Sequence, residues 1–312
     1  MKRVIGAAAG IEHFKRERNL PIDAVLSDGR GLFPDKVSPN EFAARVIEIV
    51  RNEGDAGLAR INTALDGSSP AVFEVPQSEI DSALANLDPA SIAAFELAAD
   101  RVRKFQTRGL PKSWSDGTGK FGEKVTPMNS IAAYVPGGTA PLASTVIMTV
   151  VPAQVAGVKE IIVATPAPGD AMPHPAVLAA AKIAGASRVF KLGGAQAVAA
   201  LAYGTESIPA VDLICGPGSA WVTAAKKLVF GDVGIDGLYG PTETLVIADD
   251  SADPRFTASD LIAQAEHDTV AMPILVALSE DIVDTTEAEI ERQLADLPRG
   301  STARAAFSNR GV

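Results

Sequence analysis

RVFKLGGAQAVAALAYGTESIPAVDLICGPGSAWVTAAKK, residues 188–227, states one local pattern twice. Each time a short apolar run, Val189 to Leu192 and then Leu213 to Cys215, ends in glycines and opens directly into an Ala-rich helical pattern. The turns are Gly193-Gly194 and Gly216-Pro217-Gly218. A strand, a tight turn and a helix N-terminus in succession aim backbone N–H groups and the positive end of a helix dipole at one small volume, which suits a phosphate or another anion. An open α/β sheet builds its ligand crevice in this way, at the carboxyl ends of its strands.

The same grammar extends outward from this stretch. From Ser130 the spacing predicts strands at Ile131 to Val135, Glu160 to Thr165, Arg188 to Leu192, Asp212 to Cys215, Leu245 to Ala248 and Ile274 to Leu278. Helical patterns fill the gaps, at about 141–157, 174–185, 195–203, 219–230, 254–268 and 281–296. Short apolar strands alternating with helices imply a parallel sheet covered on both faces, with right-handed connections. Special turns close four strands, at 134–139, 165–169, 193–196 and 216–219, and a fifth, Gly240-Pro241-Thr242-Glu243, precedes a strand. Several such turns on one edge point to a ligand crevice, although neither G-x-G-x-x-G nor a P-loop is present.

The N-terminal third reads as mainly helical. Ser38-Pro39-Asn40-Glu41 is a capping box with proline at the first helical position, followed by the apolar stripe Phe42, Val46, Ile49 and Val50. Ser78 opens a second helix, Asp88-Pro89 caps a third that runs to about Phe105, and Val72 to Val75 reads as a short strand. Residues 1–37 are charge-rich and irregular.

Composition bounds the partner. The 312 residues favour two domains, and a net charge of -10 from 38 acidic and 28 basic residues is a poor match to nucleic acid or an anionic membrane. A small-molecule partner fits better. The single cysteine, Cys215, excludes an intramolecular disulfide and fits a reducing cytoplasm. Lys2-Arg3 before the run Val4 to Ile11 imitates a signal peptide, but the charged stretch from Glu12 to Arg18 follows without a cleavage-site context. The uncharged run Thr139 to Val158 is long enough to span a bilayer; its Pro141, Pro152, Ser144, Thr145, Thr149 and Gln154 suit a buried helix better.

Candidate chemical residues are few. On the helix 254–268, capped by Asp253, Gln264 and His267 stand three apart and share a face. An amide oxygen and an imidazole so spaced can hold one divalent ion with further ligands, while a histidine in a last turn can equally complement the dipole. His174 reads as a helix-start residue and His13 as solvated. Cys215 reads as a small buried hydrophobe rather than a nucleophile, because no neighbour supplies an activating base. Glu206, Asp236 and Glu243 are unranked acid/base candidates.

Taken together, the segments resemble the histidinol dehydrogenase family. They are Tyr134-Val-Pro-Gly-Gly-Thr-Ala-Pro-Leu, Gly193-Gly-Ala-Gln-Ala, Tyr-Gly-Thr-Glu at Tyr203 to Glu206, Gly216-Pro-Gly, Gly240-Pro-Thr-Glu and Gln264-Ala-Glu-His267, in order across about residues 40–305. The resemblance implies a zinc-dependent, NAD-linked enzyme that oxidises L-histidinol through the aldehyde to L-histidine, working as a homodimer. It also implies an α/β fold of two incomplete Rossmann-like domains with an aldehyde-dehydrogenase-like architecture, here 1–129 plus 242–312 for one and 130–241 for the other. By the same resemblance Tyr134, Gln196 and Ser219 contact NAD, Thr242, Gln264 and His267 contact substrate, and Gln264 and His267 are zinc ligands. Ser219 stands where the family usually has asparagine and Thr242 where it usually has serine, so oxidation of another polar alcohol is a second expectation. Family members continue past the position of Val312 and place there the remaining zinc ligands, an acid/base Glu-His pair and a tail that reaches the partner. The chain is therefore expected to lack part of the catalytic centre, and a non-catalytic chain that binds a nucleotide or pairs with another subunit is a third expectation.

Overall fold

The computed structural model describes residues 1–17, 28–137, 142–167, 169–239 and 243–312. The elements run α1 (Ala7–Glu17), α2 (Pro39–Asp66), α3 (Gln77–Ala85), α4 (Pro89–Gly109), β1 (Trp114–Ser115), β2 (Gly122–Glu123), β3 (Ser130–Tyr134), α5 (Ala143–Ala156), β4 (Glu160–Thr165) and α6 (Pro175–Ala184). They continue with β5 (Arg188–Lys191), α7 (Gly194–Tyr203), β6 (Leu213–Cys215), α8 (Ala220–Val229), β7 (Gly234–Ile235), β8 (Glu243–Ala248), α9 (Pro254–Ala265), β9 (Met272–Ala277), α10 (Glu280–Ala295) and α11 (Gly300–Arg310). By internal contacts the chain divides into two compact units, Ile22–Leu238 and Met1–Pro21 with Tyr239–Val312.

The larger unit is built on a parallel sheet of order β5-β4-β3-β6-β7. The chain steps outward from β3 to β5, then returns to the other side of β3 for β6 and β7, so the strand order reverses between β3 and β6. Alternation along the strands sends Ala132, Tyr134, Ile162, Phe190 and Ile214 to one face, where they pack with α2, α7 and α8 through Phe42, Val46, Leu58, Leu201 and Val222. Ile131, Ala133, Val163 and Val189 point to the other face, against α5 and α6 through Val146, Val150 and Leu178. Both faces are covered, as near-continuous apolar strands require.

Local signals explain where the helices begin. Ser38 and Glu41 close the expected capping box at the start of α2, and the Asp88 and Asp253 side chains accept from the N–H groups of Ser91 and Arg255. His174 caps α6, its Nδ1 accepting from Ala176 N–H at 3.1 Å. Pro76 takes the N-cap position of α3 in place of the Ser78 start. The strand read at Val72 to Val75 is an antiparallel addition to the edge of β5: Val75 N–H donates to Val189 O at 2.8 Å and Lys191 N–H to Phe73 O at 2.7 Å. Arg188 clasps Glu74 beside it through two bonds of 2.8 and 2.7 Å, which hold the Glu74 carboxyl below its usual range. β1, β2 and β7 were not legible, because two residues carry no alternation.

Helix α2 packs on α7 and α8, and α3 and α4 join the cluster on the α5 and α6 side, all within the unit Ile22–Leu238. The stripe of α2 meets the Ala-rich faces of α7 and α8, and periodicity does not reveal which partner a stripe will find. His13 is half-buried rather than solvated, with its Nδ1 3.1 Å from Lys2 Nζ.

In the smaller unit β8 and β9 pair in parallel, in register Leu245↔Ile274. Helices α9, α10 and α11 form the core through Leu261, Ile290, Leu294 and Phe307, against Val246 and Leu275 of the strands. On the opposite face Leu245 and Ile247 are exposed, so coverage of both faces holds for the larger sheet only. Among the described residues no helix is long and apolar enough to cross a membrane; α5 is a 14-residue helix of the larger unit.

Candidate dinucleotide crevice and partial metal site

The carboxyl ends of β3 to β6 approach one another so closely that only glycine fits at several points. Tyr134, the last residue of β3, is 4% exposed, and its hydroxyl accepts from Gly194 N–H, at the first residue of α7, at 3.1 Å. Burial pushes its phenol above the ordinary tyrosine value, with the Gly194 bond acting in the opposite sense. A Cβ on Gly137 or on Gly193 would stand 2.7 Å from the Pro166 ring, which fills the space between them. Gly216 has φ +110°, and a Cβ there would lie 2.1 Å from Tyr134 O.

Gly216 is also clamped from behind. Its N–H donates to Asp236 Oδ2 at 2.7 Å, its carbonyl accepts from Lys226 Nζ at 2.9 Å, and Lys226 forms an ion pair with Asp236. The Lys226 side chain is only 2% exposed. Asp236, a sequence candidate for acid/base work, therefore holds the turn after β6.

Gln196 lies in the first turn of α7 and is 3% exposed. Its Nε2 donates to Asn62 Oδ1 at 3.1 Å, and its Oε1 has no hydrogen-bond partner among the described residues. Ser219, the N-cap of α8, is exposed and its side chain makes no capping bond. Two helix N-termini, a buried acceptor and an exposed hydroxyl, neither with a side-chain partner among the described residues, thus lie on the carboxyl edge of the sheet, the edge on which open α/β sheets bind ligands. These groups fit a dinucleotide: the helix ends donate to phosphate, and the amide and hydroxyl oxygens accept from ribose or carboxamide.

The other candidates resolve individually. Glu206 restarts a broken helix: α2 kinks at Gly54, at φ 56° and ψ -133°, and Asp55 N–H beyond the kink donates to Glu206 Oε2 at 2.7 Å. Asp55 in return accepts from the hydroxyls of Thr205 and Ser207 at 2.6 and 3.0 Å. The Gly-Thr-Glu segment is thus a helix cap supplied from a distant loop, and Glu206→Ala is expected to cost about 1 kcal/mol in denaturant unfolding, as loss of an N-cap does. An unchanged midpoint would contradict this role. Glu243 is exposed at the start of β8.

Cys215 packs against the apolar cluster on the α5 side of the sheet, and burial, assisted by the Asp236 charge, pushes its thiol up to about 12. It is the small hydrophobe that the sequence indicates. Alkylation by iodoacetamide at neutral pH is expected to be on the order of a hundredfold slower than for an exposed thiol, and complete in denaturant. The native chain keeps a proton that the unfolded chain loses. This group's contribution to stability is therefore intact below the ordinary thiol range and declines as pH rises toward about 12. Rapid alkylation of the folded chain would overturn this.

In the smaller unit, Gln264 lies in the last turn of α9 and His267 two residues beyond the helix end. His267 N–H donates to Gln264 O at 3.2 Å; His267 is exposed and Gln264 half-buried. Gln264 Oε1 accepts from Thr244 Oγ1 at 3.0 Å, which orients it. Among the described residues no group of three or more His, Cys, Asp or Glu could hold a metal ion. One amide oxygen and one imidazole fall short of the three protein ligands that catalytic zinc keeps, so these residues do not by themselves make a zinc site. Thr242, expected to touch substrate, lies outside the described residues, as do Gly138-Thr139 and Gly240-Pro241. Asn62 and Lys226 were not singled out from the sequence, since each sits on a helix with no neighbouring motif.

A family profile described as histidinol dehydrogenase matches residues 35–312. A histidinol dehydrogenase of Deinococcus radiodurans is 47% identical over 303 residues, 96% of this chain and 68% of the relative. One from Thermus thermophilus is 48% identical over 285 residues, 91% of this chain and 68% of the relative, and one from Cupriavidus pinatubonensis is 47% identical over 86% of this chain and 62% of the relative. The crystal structure of histidinol dehydrogenase from Elizabethkingia anophelis superposes with a TM-score of 0.83 at 36% identity, covering 92% of this chain and 68% of that one. The chain thus spans about two thirds of the length of these relatives, and it belongs to the histidinol dehydrogenase family.

Proposed function

We propose that the chain serves the NAD-linked oxidation of L-histidinol by way of L-histidinal to L-histidine, with the larger unit holding the dinucleotide. The observation that carries this reading is the buried Oε1 of Gln196 at the start of α7, which has no hydrogen-bond partner among the described residues, beside helix ends that offer donors. Tyr134 and Gln196 line the crevice from the α7 side, and Ser219 from the start of α8. NAD, when bound, supplies the hydride acceptor. The chain's own residues orient the dinucleotide and keep water from the buried side of the crevice.

Alcohol oxidation also needs a base to remove the hydroxyl proton. Glu206 and Asp236 are already committed to a helix cap and a turn, so neither serves, and Glu243 stands exposed at the start of β8, its carboxylate with no hydrogen-bond partner among the described residues to orient it. In this reading the base, and the donors that would join Gln264 and His267 at zinc, come from outside the described residues of this chain. Homodimer formation in the cytoplasm accompanies it; the single cysteine agrees with a reducing compartment.

Calorimetry with NAD and NADH absorbance with histidinol and zinc test the two parts separately. The chain is expected to bind NAD, Gln196→Leu to weaken binding by roughly tenfold, the worth of one good hydrogen bond, and turnover by the chain alone to stay at background. Absence of NAD binding would sink the dinucleotide assignment. Zinc-dependent NADH formation would sink the assignment of the base to residues elsewhere.

Ser219 motivates a second reading. Its exposed hydroxyl replaces the family's usual carboxamide at the start of α8, and Thr242 likewise keeps a hydroxyl, which suits a relative that oxidises another polar alcohol. A panel of amino alcohols assayed with the catalytic complement present separates the two.

A further inference from the structure

Behind Gln196 stands a second carboxamide. Asn62 lies near the end of α2, 134 positions earlier in sequence, and is 5% exposed where Gln196 is 3% exposed. The two ends of a Gln side chain are nearly alike in shape, so hydrogen-bond partners decide which end faces a ligand. Asn62 Oδ1 can only accept. It takes the NH₂ end of Gln196 at 3.1 Å and leaves Oε1 directed at the first turn of α7, where a Cβ on Gly194 would lie 2.5 Å from it.

This orientation has a chemical consequence. The N-termini of α7 and α8 present donors, which serve phosphate oxygens. Ribose hydroxyls and a carboxamide NH₂ need acceptors, and a Gln196 turned the other way would present a further donor to them. A buried carbonyl oxygen with no partner costs about 1–3 kcal/mol, and a ligand donor would recover it. We propose that Asn62 is a positioning residue for the dinucleotide site, fixing the Gln196 carboxamide so that its oxygen accepts from a hydroxyl or amide N–H of NAD. The proposal rests on the NAD reading above and adds a residue from a different helix to it.

The test compares Asn62→Asp, which keeps an acceptor facing Gln196 Nε2, with Asn62→Leu, which removes it. NAD affinity is measured by calorimetry, and the Gln196 side-chain NH₂ is followed by ¹⁵N-resolved NMR. Asn62→Asp is expected to bind NAD within about twofold of the wild-type chain, and Asn62→Leu roughly five- to tenfold more weakly, the equivalent of one misdirected hydrogen bond. Gln196 NH₂ exchange with water is expected to be slow in the wild type and Asn62→Asp, and fast in Asn62→Leu. Equal NAD affinity in wild type and Asn62→Leu overturns the positioning role while leaving the NAD reading intact. Equal weakening in both variants, with Gln196 NH₂ protection unchanged, overturns it in favour of a structural role. Failure of the wild-type chain to bind NAD overturns the NAD reading and this proposal with it. Should Asn62→Leu not fold, Asn62→Ser, too short to reach Gln196, takes its place with the same expected loss.

Discussion

Gly216→Ala is expected to lower the stability of the chain by about 3–5 kcal/mol and to abolish NAD binding in the surviving folded fraction. Two costs add at this position. The backbone holds φ +110°, which L side chains rarely adopt and which costs on the order of 1–3 kcal/mol. The new methyl would also stand 2.1 Å from the carbonyl oxygen of Tyr134, and that partner is backbone in the middle of a five-stranded sheet, so it cannot turn aside. Relief requires the turn after β6 to move off β3, and this carries Ser219 and the start of α8 away from Tyr134. Against a total of about 5–15 kcal/mol for a typical domain the loss is large, and thermal unfolding is expected about 10 °C lower. A shift of less than about 2 °C, or unchanged NAD affinity by calorimetry, would show that the turn tolerates the methyl.

Lys226→Met is expected to cost about 3 kcal/mol through electrostatics rather than volume. Methionine replaces most of the buried stem, so little cavity forms. What is lost is the cation that satisfies the Gly216 carbonyl at 2.9 Å and pairs with Asp236, whose side chain is 24% exposed. Asp236 keeps the N–H groups of Gly216 and Gly237 at 2.7 and 2.8 Å, which soften the loss without replacing a counter-charge. The discriminating measurement is a double-mutant cycle in urea with Asp236→Asn. If the pair acts as a unit, Lys226→Met with Asp236→Asn is less destabilised than the sum of the single variants by at least about 1 kcal/mol. Strict additivity would mean that each residue holds the turn independently.

Family and fold class were legible because their signals are local and repeated. Glycine turns after apolar runs, capping residues before periodic helices and the order of the motifs all survive reading one residue after another. The roles of individual polar residues were less legible. Glu206 and Asp236 read from sequence as candidate acids, and each is a cap or clamp for a segment distant in the chain; Gln196 read as a contact residue, and its partner Asn62 carried no signal.

The sequence by itself determined the strand-turn-helix units, the glycine positions at the crevice, the caps of α2, α4, α6 and α9, and membership of the family, since each depends on neighbours within a few residues or on motif order. Tertiary structure alone decided that Tyr134 meets Gly194, that Lys226 and Asp236 clamp Gly216, that Asn62 meets Gln196, and that α2 covers α7 and α8. Each of these joins groups from separate elements, and their pairing depends on burial, strand order and the removal of water from polar atoms, which no spacing along the chain encodes.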